Sequence, residues 1–306
     1  MKKYVLISGG LIGAVFILLA LIPPSITRFA SHQVASIFFI DSVKTEDLQG
    51  RYEQGKKIKI LVVPGHDQSS YGTLHEDVRE VDLNLELGEY LFKELEKNDQ
   101  FEVTLAQTDK GYDKDILDYM TRNSSLISAF QATKKSIMNR LIAEGLVKPK
   151  SVVDHISASN DVVSKLYGLN YWANTNNIDL VLHLHFNDYP GCRNDVEPKY
   201  KGFSIYLPEE QYSNSKASWD IGKQIKKKLS AEYKESNHPL EKETLIPDQE
   251  LIAIGAFNTL DAASVLIEYG YIYESHLGAN SKSGRSRTLK DLAWLTAEGV
   301  EEFFED

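Results

Sequence analysis

Two histidines stand where predicted strands end, and their chemistry is that of metal ligands. His66 follows the apolar run Ile60–Val63 and the turn pair Pro64–Gly65, and His185 lies late in the run "DLVLHLHFND". In open α/β sheets, ligands bind where parallel strands reach their carboxyl ends. We therefore expect the two imidazoles to meet at one point, although either histidine alone is more typical of a hydrogen-bonded structural residue.

A metal site of this kind needs a third ligand. Catalytic zinc takes three protein ligands and keeps one position for water, and two histidines with one glutamate are a recurring set. The loop and helix start after His66 supply Glu76, Asp77 and Glu80. Glu80 falls near the first turn of a helix predicted from about 78 to 97, and Glu76 is the alternative. Each acid alone is typical of capping or of an interaction with the helix dipole.

The elements that must position these residues alternate between strands and long helices. The predicted strands are "KIKILVV", "FEVTLAQ", "DLVLHLHFND", "GFSIYLP" and "ASVLIEYGYI". The helices between and after them are "SNDVVSKLYGLNYWANTNN", "SNSKASWDIGKQIKKKLSAEYK" and "TLKDLAWLTAEGVEEFFE". This alternation predicts an α/β fold with a twisted, mostly parallel sheet and helices on both faces. The pattern of "GFSIYLP" indicates an edge or antiparallel strand.

The amino-terminal segment is of a different kind. Lys2 and Lys3 precede 19 residues without a charge, enough helix for the hydrocarbon core of a membrane. With both lysines before the span, the following domain is expected outside the cytoplasm. A signal peptide cleaved near "RFASHQVAS" is an alternative, and a buried core helix is a further one. We predict a membrane anchor or signal at 1–27, a polar spacer at 28–56 and one catalytic domain at 57–306.

Composition excludes several functions. The net charge of −10 and the absence of a basic patch argue against nucleic acid as a partner. Cys192 is the only cysteine, so an intramolecular disulfide is impossible. There is no Gly-x-Ser-x-Gly turn, and Cys192 lies in the polar stretch "YPGCRND", so a serine or cysteine nucleophile has no support.

A segment at about 108–158 interrupts the regular alternation. Its residues Leu126, Phe130, Lys134, Met138 and Leu141 follow one another at helical spacing, which predicts a helical insertion. The insertion is either a surface elaboration or a lid that gates the cleft. We expect that deletion of a gating segment would raise activity.

Taken together, these blocks resemble a known family. "ILVVPGHD", "REVDLNLELGEYLFKEL", "DLVLHLHFND", "GFSIYLP" and "SVLIEYGYI" look like the zinc-dependent N-acetylmuramoyl-L-alanine amidases. That family trims peptidoglycan and has a phosphorylase/hydrolase-like sheet. The resemblance covers roughly residues 57–303 around the insertion, and the blocks come in the family's order.

The resemblance implies a role for each matching residue. The family's first histidine ligand falls on His66, its glutamate ligand on Glu80 and its second histidine on His185, with one Zn²⁺ as the cofactor. Its catalytic glutamate falls on Glu268 of "LIEYGYI". A buried salt-bridge partner is the alternative for Glu268. Asn187, Asp188 or His183 could support a ligand by hydrogen-bonding its far ring nitrogen.

The sequence departs from the family pattern at four places. Asp67 stands where the family usually has glycine, and His183 where it has serine. Tyr269 and Tyr271 replace the more common leucine and phenylalanine. None of these departures removes a ligand.

The expected function is zinc-dependent hydrolysis of the amide between N-acetylmuramic acid and L-alanine in peptidoglycan. The expected partners are a muropeptide substrate and, through the amino-terminal helix, the membrane; a protein activator is a further candidate. The domain is expected on the extracytoplasmic side of the cell membrane, or secreted or periplasmic after signal cleavage. Two alternatives remain, namely a catalytically silent module that binds peptidoglycan or a protein partner, and a zinc hydrolase of another wall-peptide amide.

Overall fold

A six-stranded sheet lies at the centre of the domain, with two short hairpins beside it. The computed structural model describes residues 41–148, 158–188, 199–277 and 282–306. In chain order the strands are β1 Ile58–Pro64, β2 Leu74–His75, β3 Val78–Arg79, β4 Phe101–Leu105, β5 Gln107–Thr108, β6 Gly111–Tyr112, β7 Leu180–Asn187, β8 Ser204–Pro208, β9 Leu245–Asp248 and β10 Ala263–Tyr271. Strands β2 and β3 form one hairpin, and β5 and β6 form the other.

The order of strands in the main sheet is β4-β1-β7-β10-β8-β9. Strands β4, β1, β7 and β10 run parallel, and β8 pairs antiparallel with β10. The predicted mostly parallel sheet is therefore confirmed, as is the antiparallel direction of β8. Strand β9, which pairs parallel with β8, was not predicted; it has four residues and contains a proline, so its pattern is too short to indicate a strand.

Helices cover both faces of the sheet, as predicted. They are α1 Thr45–Glu53, α2 Glu80–Leu95, α3 Lys114–Arg122, α4 Ser124–Ala143, α5 Asn160–Thr175, α6 Ser215–Glu232 and α7 Lys282–Glu305. On one face α2, α6 and α7 pack together over the inward side chains of β1, β7 and β10. On the other face Leu61, Val63 and Val181 pack against Tyr167 and Leu169 of α5. This second face carries His183 and His185, because side chains alternate along a strand.

Helix α1 lies within the segment predicted as a spacer. Its Leu48 is 2% exposed and belongs to the same apolar cluster as α2, α6 and α7. Thr45 of this helix also donates to Asp220 of α6 at 2.7 Å. Residues 45–53 are therefore packed on the domain instead of separating it from what precedes.

The described part of the insertion is mainly helical, as expected, and forms α3 and α4 after the β5–β6 hairpin. Both helices contact α5, and α4 also contacts residues 256–258. The predicted apolar stripe is wrong at its first position: Leu126 is 50% exposed, and the neighbouring Ile127 is buried instead. Met138 and Leu141 are buried as expected. Gating by this segment remains a prediction.

Two predictions concern residues that the structure does not describe. The apolar span within 1–27 and Cys192 both lie outside the described ranges. Within those ranges, no helix has the length and apolar character required to cross a membrane.

Candidate metal centre

The end of β1 brings His66 to the edge of the sheet. Gly65 donates its backbone N–H to Leu184 of β7 at 2.8 Å, which ties the turn to the neighbouring strand. His66 then adopts a left-handed backbone with φ of 64°. Residues other than glycine rarely adopt this conformation, and where they do, the surrounding structure has to hold them in it. The turn is therefore a constrained one, and it directs the His66 side chain towards α2.

Glu80 is the first residue of α2 and is only 4% exposed. The start of the β2–β3 hairpin holds Glu80 in position through Thr73, the residue before β2. Glu80 donates its N–H to the carbonyl of Thr73 at 2.8 Å, and Thr73 N–H donates to Glu80 Oε2 at 3.1 Å. Asn84, one helical turn later, donates to Glu80 Oε1 at 3.4 Å and to the carbonyl of Gly65 at 3.0 Å. Phe186 N–H donates to the same Oε1 at 3.3 Å. Both carboxylate oxygens of Glu80 are thus held in place by donors from three parts of the chain.

The Glu80 carboxylate lies between the two imidazoles. Its Oε2 is 3.0 Å from Nε2 of His66, and its Oε1 is 3.0 Å from Nδ1 of His185. The two rings stand edge to face with centroids 5.0 Å apart. The structure therefore brings together the three residues that the sequence analysis assigned as ligands.

The contacts shift the pKa values of these groups in different directions. Burial opposes ionisation of Glu80, but the hydrogen bonds from His185 and His66 outweigh it and hold the pKa of Glu80 well below its usual range. Burial also works against the charged form of His66, yet the hydrogen bond and charge of Glu80 raise the pKa of His66. For His185 the effect of burial is larger than that of the hydrogen bond and charge of Glu80, so the pKa of His185 is lowered. A carboxylate that stays ionised and an imidazole that stays neutral are the forms in which these side chains bind metal.

Glu268 lies beside this cluster on the next strand. It pairs with His185 across β7 and β10, so the two side chains project from the same face of the sheet. Its Oε2 is buried and has no hydrogen-bond partner among the described residues. Burial, followed by the negative charges of Glu80 and Glu241, raises the pKa of Glu268 well above the usual value. Glu268 is therefore a carboxyl group that holds a proton readily at the edge of the candidate site.

The donor set fits a zinc ion. One ligand atom from each of His66, Glu80 and His185 lies within 4.8 Å of the others. Tetrahedral zinc with bonds of about 2.0 to 2.2 Å separates its ligand atoms by about 3.4 Å, so a small adjustment of the side chains suffices. Two imidazoles and one carboxylate are also a donor set that zinc prefers in catalytic sites.

Some expectations about the surroundings are not met. Glu76 is exposed in the turn between β2 and β3, so the acid that contacts both imidazoles is Glu80. Asn187 donates to Glu241 at 2.7 Å instead of supporting a ligand ring. His183 is 1% exposed and hydrogen-bonds the backbone of Ala253; burial and the neighbouring His185 lower the pKa of His183 to about 3.

Two supporting residues were missed by the sequence analysis. Asn84 is fully buried and lies four residues after Glu80, a spacing that places both on one helix face and could have indicated the contact. Glu241 is a buried carboxylate that accepts hydrogen bonds from Asn187, Tyr206 and Tyr271, which come from three different strands. No local pattern indicates Glu241, because it lies in a single 3₁₀ turn.

A known protein family matches most of this chain. The family model described as N-acetylmuramoyl-L-alanine amidase matches residues 60–302. A search of curated proteins by sequence finds no match to this chain.

Solved structures show the same fold. The N-acetylmuramoyl-L-alanine amidase from Clostridium difficile 630 is 15% identical, covers 82% of this chain and 98% of its own, and superposes with a TM-score of 0.50. The N-acetylmuramyl-L-alanine amidase Ami1 from Mycobacterium smegmatis is 13% identical, with 82% and 98% covered and a TM-score of 0.50. At these identities the likeness concerns the fold alone.

Proposed function

Because the chain belongs to the N-acetylmuramoyl-L-alanine amidase family, we propose that it hydrolyses the amide between N-acetylmuramic acid and L-alanine in peptidoglycan, with zinc as its cofactor. The observation that carries this proposal is the convergence of His66, Glu80 and His185 at the strand ends, with Glu268 on the adjacent strand. These four residues would supply a metal site and a proton carrier at one edge of the sheet, where β1, β7 and β10 end.

The three ligands have distinct tasks. His66, Glu80 and His185 would hold one Zn²⁺, which would polarise a substrate carbonyl and lower the pKa of a bound water. Glu80 is pre-positioned for this by Thr73 and Asn84, so little reorganisation is needed when the ion binds. The buried surroundings strengthen every charge interaction at the site, because water screens them less there.

Glu268 would move the proton. Its Oε2 makes no hydrogen bond within the described part of the chain, so it is available to the attacking water. In this role Glu268 accepts a proton from that water and returns it to the nitrogen of the leaving L-alanine. The raised pKa of Glu268 favours the first of these transfers, because a carboxylate with a higher pKa is a stronger proton acceptor.

One experiment tests both the metal and the bond. Purified protein from residue 41 onward is analysed for zinc and incubated with muropeptides, and the products are identified by mass spectrometry. We expect about one zinc per chain and release of free stem peptide with an amino-terminal L-alanine. Cleavage within the stem peptide would instead show a zinc hydrolase of another amide. Absence of both zinc and cleavage would favour a binding module.

The Glu268→Gln variant tests the proton carrier. We expect it to keep zinc and to lose cleavage by about 10²- to 10⁴-fold, the usual contribution of a positioned acid–base group. Glu301→Gln on α7, a half-buried carboxylate whose pKa is also raised, is the control and should cleave at the wild-type rate. A fully active Glu268→Gln protein would show that the role of Glu268 is structural.

We also propose that residues 1–27 anchor the protein in the cell membrane, with the domain on the extracytoplasmic side, where peptidoglycan lies. The support is the uncharged span after Lys2 and Lys3. Fractionation of cells that express the full chain, followed by protease treatment of intact protoplasts, should find the domain in the membrane fraction and accessible from outside. Recovery of a shortened protein from the medium would indicate a cleaved signal instead.

A further inference from the structure

The turn that carries His66 is fixed by the residue that follows it. Oδ1 of Asp67 accepts hydrogen bonds from Ser69 N–H at 2.9 Å, from Ser69 Oγ at 2.6 Å and from Ser70 N–H at 2.9 Å. The backbones of Asp67 and Ser70 also exchange two hydrogen bonds, at 3.2 and 3.0 Å. A single carboxylate oxygen thus closes the turn directly after the left-handed His66.

The other oxygen of Asp67 ties this turn to a distant helix. Lys165 of α5 donates to Oδ2 of Asp67 at 2.7 Å, and the two side chains are only 27% and 14% exposed. Lys165 also contacts Asp161 at 2.5 Å, but Asp161 lies on the outside with 68% of its side chain exposed. The Asp67–Lys165 pair is the more sheltered of the two, so solvent screens it less.

A third residue, Gln107, also holds this turn. The side-chain amide of Gln107 donates to the carbonyls of Pro64 and His66, and Gln107 is 2% exposed. Gln107 precedes the insertion and Lys165 follows it. The two chain segments that border the insertion therefore both contact the His66 turn.

A small movement of this turn would change the positions of His66 and Glu80. Gly72, two residues beyond Ser70, passes so near that a Cβ placed on it would lie 2.3 Å from Glu80 Oε2 and 2.7 Å from His66 Nε2. The end of this loop at Gly72 is therefore in close contact with both His66 and Glu80. If the turn shifted by a few tenths of an ångström, the His66–Glu80 distance would shift with it.

From these contacts we propose that the Asp67–Lys165 ion pair is a positioning device that holds the His66 imidazole against Glu80 and so sets the metal affinity of the site. Asp67 and Lys165 touch neither metal nor substrate in this role; they act through the backbone of His66. The proposal rests on the metal site of the proposed function, but it concerns affinity for the ion and not the bond that is cleaved.

Metal titration with matched variants tests this proposal. Zn²⁺ affinity is measured with a competing chromophoric chelator for the wild type, Asp67→Asn, Lys165→Met, Lys165→Arg and Asp161→Asn. Asp67→Asn keeps Oδ1 for Ser69 and Ser70, so the turn should still form, and it puts an amide NH2, which cannot accept a hydrogen bond, against Lys165. Circular dichroism and thermal unfolding of the metal-free proteins confirm that each variant is folded.

We expect Asp67→Asn and Lys165→Met each to weaken zinc binding by about 10-fold, the size typical of lost partners of metal ligands. The Asp67→Asn, Lys165→Met double variant, measured in the same way, should bind about as weakly as either single variant, because both substitutions remove the same ion pair. Lys165→Arg should recover most of the affinity, and Asp161→Asn should bind as the wild type does. Excess zinc should restore the cleavage rate of Asp67→Asn, which a damaged active site would not allow.

The outcomes separate this proposal from the proposed function. Folded Asp67→Asn and Lys165→Met proteins that bind zinc as tightly as the wild type would overturn the positioning role and leave the amidase proposal intact. Weakened binding in these variants, in a protein that does not cleave muropeptides, would support the positioning role and overturn the amidase proposal. A wild-type protein that binds no zinc would overturn both.

Discussion

A Cβ atom placed on Gly65 would lie 2.3 Å from Cε1 of His185, so the turn after β1 passes directly against this imidazole. Real Cβ atoms do not approach other atoms this closely. The absence of a side chain at position 65 therefore allows the ends of β1 and β7 to place His66 and His185 beside the same carboxylate.

Gly65→Ala should displace the His185 ring and abolish zinc binding. The backbone of Gly65 does not lie in the left-handed region, so alanine adds a clash and no backbone strain. We expect a loss of about 1 to 3 kcal/mol in the free energy of unfolding, as for other overpacked sites. Zinc content after dialysis measures the effect. Gly50→Ala in α1, where a Cβ meets nothing within 4 Å, is the control and should keep its zinc.

Gly72→Ala should also disrupt the metal centre, but for two reasons. Its φ is +73°, and its Cβ would lie 2.3 Å from Glu80 Oε2. Gly55 has nearly the same φ, +70°, with nothing within 4 Å, so Gly55→Ala carries the backbone strain alone. We expect both variants to lose stability in urea unfolding and only Gly72→Ala to lose zinc. Equal zinc content in the two variants would show that the close approach at Gly72 is unimportant.

Asn84→Ala should weaken both the fold and the metal site. Asn84 is fully buried, and its loss removes its hydrogen bond to the Gly65 carbonyl and one of the donors to Glu80. The expected cost is about 1 to 3 kcal/mol in the free energy of unfolding, with zinc affinity about 10-fold lower. Asn170→Ala is the control: Asn170 is similarly buried but donates to Ile252 and Thr259. It should lose stability and keep its zinc affinity.

The ion pairs between α6 and α7 predict an acid-sensitive contribution to stability. Hydrogen bonds from Lys227 and Lys228 lower the pKa of Glu302 from 4.5 to about 2. A carboxylate with a depressed pKa stabilises the folded state above its unfolded pKa, and this stabilisation is lost as the pH falls from about 4.5 towards 2. Glu302→Gln should therefore melt below the wild type at pH 7, and the difference in Tm should shrink at pH 3 and in 1 M salt. A Tm difference that does not change with pH or salt would show that packing, not charge, is responsible.

Much of the fold could be predicted from local pattern. The continuous apolar residues of β1 and β7, the Pro64–Gly65 turn and the helical spacing of α2 and α5 lie where the sequence analysis placed them. These patterns indicate which face of each strand or helix is buried. They depend only on residues that are close together along the chain. The prediction failed where the pattern was short, as in β9, or where two apolar residues adjoin, as at Leu126 and Ile127.

The sequence by itself therefore determined the elements and the residues at the strand ends, because periodicity and turn chemistry are local. Only the tertiary structure decided which acid joins the two histidines, since Glu76 and Glu80 differ in the direction that the β2–β3 hairpin gives them. It also explained Asp67, whose partner Lys165 is 98 residues away. A contact of that kind depends on β1 and α5 packing at the same end of the sheet, and no pattern within either segment encodes it.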